Sequence, residues 1–177
     1  ASFELVDVML LEKVAKTKKP VIISRGMGSI EEIKTAVSTL KKYGAGGIAV
    51  LHCVSSYPAK PENMNLKTIS DIEKRFKVAS GLSDHTLGIS TAITSVALGA
   101  SIIEKHFTLK RNDGGVDASF SLEPEELKSL VQSVREAEKA IGKVQYSPVG
   151  NEVAELRGRR SLFVVKDIKK GEFFTKE

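Results

Sequence analysis

A chain of 177 residues, 41% hydrophobic and 28% charged, is long enough for one sizeable core and unlike a disordered segment. Its single cysteine, Cys53, excludes an internal disulfide and fits a reducing, cytoplasmic setting, and no apolar run reaches the length of a membrane span. The net charge of +5 is mixed along the chain without a basic stripe among aromatics, so neither nucleic acid nor a membrane is an expected partner. A small phosphorylated anion stays open.

The opening "ASFEL" is expected to be extended and to lead into a helix at "VDVMLLEKVAKT". A β-branched run, "PVIIS", then reads as a strand. In "SIEEIKTAVSTLKKYG", Ser29 and Glu32 form a capping box, Ile30, Ile33, Val37 and Leu40 share one face, and Gly44 stops the helix. "GIAVLHC" is the next strand. Asn65 is expected to cap "LKTISDIEKRF", with Leu66, Ile69, Ile72 and Phe76 turned inward. "VASGLSD" and "SIIEKHF" read as strands flanking a helix around residues 87–99. The last helix, "SLEPEELKSLVQSVREAEKAIG", tolerates Pro124 in its first turn and ends at Gly142.

Regular alternation of apolar strands with helices implies a parallel sheet covered by helices. Five strands are expected before residue 108, whereas a (β/α)8 TIM barrel needs eight over about 250 residues. The expected fold is therefore a TIM barrel of which about the last five strand–helix units are present, over residues 1–141, with three units missing upstream. Residues 142–158 are polar and without period and read as a linker. Residues 159–177 read as the start of a further β segment, with a turn at Lys170–Gly171, that stops before building a core.

Catalytic groups of a barrel sit where its strands end. Here those ends carry Ser2 and Glu4, Ser24, His52 with Ser55 and Tyr57, Ser83 and His85, and Glu104 and His106. Residues two apart share a face, so each pair points together toward one mouth. His85 and His106, on neighbouring strands about 4.8 Å apart, suit a shared metal ion. Two imidazoles leave positions open for water and substrate oxygens, as a Lewis acid requires. Ser2, Ser24 and Ser83, with Gly26 and Gly28 in "SRGMGS", suit a phosphate. Glu4 and Asp117 are candidate acid/base groups, although Asp117 reads equally well as a loop aspartate. Cys53 reads as core, with no base placed to activate it.

"LHCVSSYPAKPENMNL", "GLSDHTLGI", "ALGASIIEKHFTL" and "FSLEPEEL", in that order, resemble the sialic acid synthase family of N-acetylneuraminate, legionaminate and pseudaminate synthases. "GGVDASFSLEPEE" and "GKVQY" look most like the pseudaminate type. "RRSLFVVKDIKKGEFFTKE" resembles the start of the antifreeze-like (SAF) domain that follows the barrel in that family.

The resemblance implies condensation of phosphoenolpyruvate with an open-chain N-acylated hexosamine. It also implies a divalent ion, manganese or magnesium, held by His85 and His106, and phosphate binding by Ser2, Ser24 and Ser83. Glu4 and Asp117 match the family's catalytic carboxylates, and Ser55 and Tyr57 lie in the segment lining the sugar pocket. A homodimer is implied for the full-length protein. Arg25 departs from the family's usual threonine, and strand parity points it outward.

With the early strands missing, the isolated polypeptide is expected to be inactive. Two other readings stay open: a phosphoenolpyruvate-condensing barrel of the octulosonate or heptulosonate phosphate type, and a non-catalytic carbohydrate-binding module. A Schiff-base lyase is disfavoured, because Lys105 has the wrong parity for the mouth.

Overall fold

The structure, a computed structural model, describes residues 2–175. The chain divides after Gly142 into two units, treated separately below.

The first unit holds strands β1 (Pro20–Ser24), β2 (Gly47–Cys53), β3 (Ala79–Asp84) and β4 (Ile102–Lys105), all parallel and in the order 1-2-3-4. Each strand lies beside the one before it. That is the progression of a curling barrel wall, whereas a doubly wound sheet reverses its order partway. Helix α1 (Val8–Ala15) precedes β1, helices α2 (Ile30–Tyr43), α3 (Thr68–Phe76) and α4 (Ser90–Ala97) fill the intervals, and α5 (Pro124–Ile141) follows the last strand.

Local signals set the helix limits. The α2 capping box forms, with Glu32 accepting from the Ser29 amide at 2.7 Å and Ser29 accepting from the Glu32 amide. Gly44 stops the helix in the left-handed region. Buried Ile33, Val37 and Leu40 pack with Val21, Ile23 and Val50 of the sheet. These strand residues share the helix-covered face, so alternation turns Ile22, Ala49, Leu51 and Cys53 to the other. Gly81 on that second face is obligatory. A β-carbon there would lie 2.7 Å from the Leu51 side chain and 2.3 Å from the Ile102 carbonyl oxygen.

Four expectations are corrected in this unit. "ASFEL" is not a strand: Phe3–Val6 form a 3-10 turn, leaving four strands rather than five among the described residues. No described strand pairs with the segment, so its backbone groups bond locally, as from the Asp7 amide to the Glu4 carbonyl at 3.0 Å. Ser2 and Glu4 therefore do not share a strand face. Ile30 is 51% exposed, lying in the first turn of α2 beyond the edge of the core. Asn65 does not cap α3 with its side chain, which bonds the Asn63 carbonyl; its own carbonyl receives the Thr68 amide and hydroxyl instead.

The second unit has little regular structure among the described residues. A short helix, α6 (Glu152–Glu155), and a 3-10 turn at Leu156–Gly158 interrupt the expected linker. The turn at Lys170–Gly171 forms, with the Glu172 amide bonded to the Lys169 carbonyl. No strand forms in residues 159–175: a strand needs a ladder partner, and the described residues of this unit offer none. Lys176 and Glu177 of the expected β segment, and Ala1 of "ASFEL", lie outside the described residues.

Ser80 is buried, and its hydroxyl has no hydrogen-bond partner among the described residues. Removing an unpaired buried hydroxyl removes its desolvation cost. Ser80→Ala is expected to stabilise the fold by about 1 kcal/mol, read as a higher urea midpoint at unchanged slope.

Candidate active site

The register places Cys53, Ser83 and Glu104 abreast at the C-terminal ends of β2, β3 and β4. The Ser83 hydroxyl donates to Glu104 Oε1 at 2.6 Å, and its oxygen lies 3.5 Å from His85 Nε2. A phosphate approaching Ser83 would therefore have to displace an anionic neighbour. His85 Nδ1 lies 2.8 Å from the Val54 carbonyl, which can only accept, so Nδ1 carries the proton. A neutral ring held this way carries its lone pair on Nε2, the form in which imidazole binds metals.

His106 stands just beyond β4, its ring centre 5.3 Å from that of His85. Tyr57 packs against both rings, at 4.3 Å from His85 and 5.9 Å from His106. Phe120 closes the far side, 5.0 Å from His106. Asp117 Oδ2 lies 3.6 Å from His106 Nδ1. The loop carrying Asp117 is brought back because the Leu122 amide bonds the His106 carbonyl. Beside these groups is a hollow of about 220 Å³ lined by Ser83, Glu104, Lys105 and His106. Burial raises the Tyr57 phenol, and the nearby Cys53, Asp117 and Glu104 add to the effect.

A centre-to-centre spacing of 5.3 Å is compatible with two imidazoles sharing one cation at a metal–nitrogen distance of about 2.1 Å. Among the described residues no group of three or more His, Cys, Asp and Glu could hold a metal. Any ion here would draw its remaining ligands from elsewhere.

Ser2 and Ser55 form a second cluster, their hydroxyl oxygens 3.2 Å apart. Gly26, at φ +46°, lies directly over them. A β-carbon at Gly26 would sit 2.7 Å from Ser2 Oγ and 2.9 Å from Ser55 Oγ, so only glycine lets the backbone come this close. Burial raises the neighbouring Cys53 thiol, while the Gly26 amide, the Ser55 hydroxyl and the Arg25 charge pull the other way. Ser24 is buried at the end of β1 and pairs in register with Leu51, on the second face. Glu4 lies exposed in the 3-10 turn.

His52 does not join the mouth. It belongs to the same alternate set as Val50 and faces the helices, where its Nε2 bonds the Met64 carbonyl and its Nδ1 accepts from Arg25 Nε at 3.0 Å. Arg25 accordingly lies on the helix side of the sheet. Burial pushes the His52 imidazole down from its ordinary value, and the Arg25 charge pushes the same way, against the pull of the Met64 carbonyl.

Two site groups were not singled out by role. Glu104 carried a usable signal, being two residues before His106 on an alternating strand. Phe120 carried none, because only the return of the loop brings it to the rings.

These features define an α/β chain whose sequential parallel sheet gathers hydroxyls, a carboxylate and paired imidazoles at its C-terminal rim. Residues 1–146 match the NeuB family, and the chain belongs to it. It is 43% identical to an N,N'-diacetyllegionaminic acid synthase of Campylobacter jejuni, over 98% of this chain and 53% of that protein. It is 41% identical to a pseudaminic acid synthase of Helicobacter pylori, over 99% of this chain and 52% of that one. The crystal structure of an N-acetylneuraminic acid synthetase from Leptospira borgpetersenii superposes with a TM-score of 0.80 at 40% identity, covering 91% of this chain and 56% of that one. The chain spans about half the length of these relatives.

A histidine held neutral by burial in the folded state binds fewer protons there than when unfolded. His52 thus contributes stability above its unfolded pKa of about 6.5, and this is lost as pH falls through that value toward its lower folded one. His52→Gln, which keeps a donor for the Met64 carbonyl, is expected to flatten the decline. Urea unfolding of both proteins at pH 7 and pH 5 checks this, with a difference in slope of up to about 1.4 kcal/mol per pH unit.

Proposed function

We propose that this chain supplies one side of the active site of a synthase that condenses phosphoenolpyruvate with an open-chain N-acylated hexosamine and releases phosphate. The acceptor is of the pseudaminic, legionaminic or N-acetylneuraminic type, the pseudaminic type being favoured by "GGVDASFSLEPEE". One observation carries the reading: two imidazoles, ring centres 5.3 Å apart, at the ends of neighbouring parallel strands in a NeuB-family chain.

In this reading carbon 3 of the enolpyruvate forms a bond to the aldehyde carbon of the sugar. Water adds to the resulting cation at carbon 2, and inorganic phosphate leaves by cleavage of the carbon–oxygen bond. His85 and His106 would hold manganese or magnesium, which when bound polarises the aldehyde oxygen. The Val54 carbonyl holds His85 by Nδ1, which leaves Nε2 as the nitrogen to bind an ion.

Ser2, Ser24 and Ser83 would bind the phosphate. The closeness of Gly26 to Ser2 and Ser55 supports a backbone contribution at the same place. Asp117, beside His106, and Glu4 would orient the sugar and move protons. Tyr57 and Ser55 would line the acceptor pocket, the phenol staying protonated as a donor because its environment holds it above the usual range. The remaining active-site groups would come from the rest of the relatives' length, a homodimer would complete the full protein, and residues 159–177 would begin an antifreeze-like domain after a linker over 142–158. The setting would be cytoplasmic.

Two outcomes test the proposal. Manganese is expected to raise the melting temperature of the wild-type protein but not of His85→Ala or His106→Ala; equal stabilisation of all three would remove the metal assignment. Phosphate release from phosphoenolpyruvate is expected in the full-length protein only when an N-acylhexosamine is present, and not from the isolated 177-residue chain. A requirement for a phosphorylated sugar acceptor would move the assignment to the octulosonate or heptulosonate class.

A further inference from the structure

Immediately behind the two histidines, on the helix-covered face, lies an ion pair that the proposed chemistry does not use. Lys105 Nζ donates to Asp84 Oδ2 at 2.8 Å, and the two side chains are 3% and 0% exposed. Burying two charges is expensive and often adds no stability over apolar residues of similar size. A position that keeps such a pair therefore invites a reason other than stability.

The arrangement supplies one. Asp84 and Lys105 are register partners, at the last paired position of β3 and β4. Asp84 immediately precedes His85, and Lys105 immediately precedes His106. The other carboxylate oxygen of Asp84 accepts from the Thr86 amide at 2.9 Å and from its hydroxyl at 2.8 Å. The Lys105 ammonium also donates to the Thr86 carbonyl. One ammonium, from the residue before His106, thus grips both residues flanking His85. Beyond this point the β3–β4 ladder stops; Thr86 bridges instead to Ala59 and Phe107 to Leu122, so no backbone pairing joins the two histidine segments to each other.

We propose that the Asp84–Lys105–Thr86 network is a positioning device that sets the separation of His85 and His106 and so tunes the affinity of the site for a divalent cation. The inference rests on the metal reading of the two histidines. The three side chains are buried, and they act through the backbone on either side of the rings.

The test measures manganese binding by the loss of the free-ion electron paramagnetic resonance signal, together with the melting temperature of the metal-free protein. Two charge-neutral double variants are used, so that neither leaves a single buried charge: Asp84→Leu with Lys105→Met, and Asp84→Asn with Lys105→Gln. At least one is expected to melt close to the wild-type temperature yet bind manganese about tenfold more weakly. A folded double variant that binds as tightly as wild type, while His85→Ala and His106→Ala lose binding, overturns the positioning role and leaves the metal reading intact. A loss of melting temperature in both doubles with unchanged affinity would show a purely structural pair and also overturn it. Wild-type binding that ignores both histidine substitutions removes the metal reading itself, and the inference with it.

Discussion

The arrangement of this molecule depends on parallel pairing in a fixed register. Because β2, β3 and β4 pair so that Cys53, Ser83 and Glu104 stand abreast, side chains far apart in sequence meet at one rim. Period-two alternation then does the sorting: a shift of one residue in any strand would exchange the site face for the helix face. The apolar cluster beneath α1, α2 and α3 resists such a shift, since it would carry Val50 away from Ile33 and Leu40. Burial on one face thus positions chemistry on the other.

The two faces carry different polar networks. On the open face, hydroxyls, Glu104 and the imidazole rings are brought close around a hollow open to a ligand. On the helix face, the unpaired Ser80 hydroxyl apart, polar groups are bound to one another: Arg25 to His52 to the Met64 carbonyl, and Lys105 to Asp84 and Thr86. Buried polar groups must be satisfied where water cannot reach them. Lys105 in this setting, its ammonium engaged and turned from the mouth, is no candidate for a Schiff base with a substrate.

Much of this was legible in the sequence, for local reasons. The α2 capping box, Gly44 and the β-branched run of β1 are signals that act within a few residues, and parity along β3 placed Ser83 beside His85. The misreadings share a different cause. "ASFEL" has the composition of a strand but no described neighbour to pair with, and pairing is a property of the sheet rather than of the segment. His52 is polar at a strand end, as the site residues are. It takes the opposite face because Val50, two residues earlier, is needed in the core. Asn65 has the identity of a cap, but its left-handed backbone turns its side chain to Asn63. Phe120 reaches the rings only through the return of its loop, which no spacing rule encodes.

Leu51 lies over the bare α-carbon of Gly81, so these two positions on neighbouring strands share a single volume. Shrinking Leu51 would still not admit a side chain at Gly81, because the Ile102 carbonyl oxygen would lie 2.3 Å from a β-carbon there. This stretch of floor is thus contoured by bare backbone, whatever side chain stands beside it.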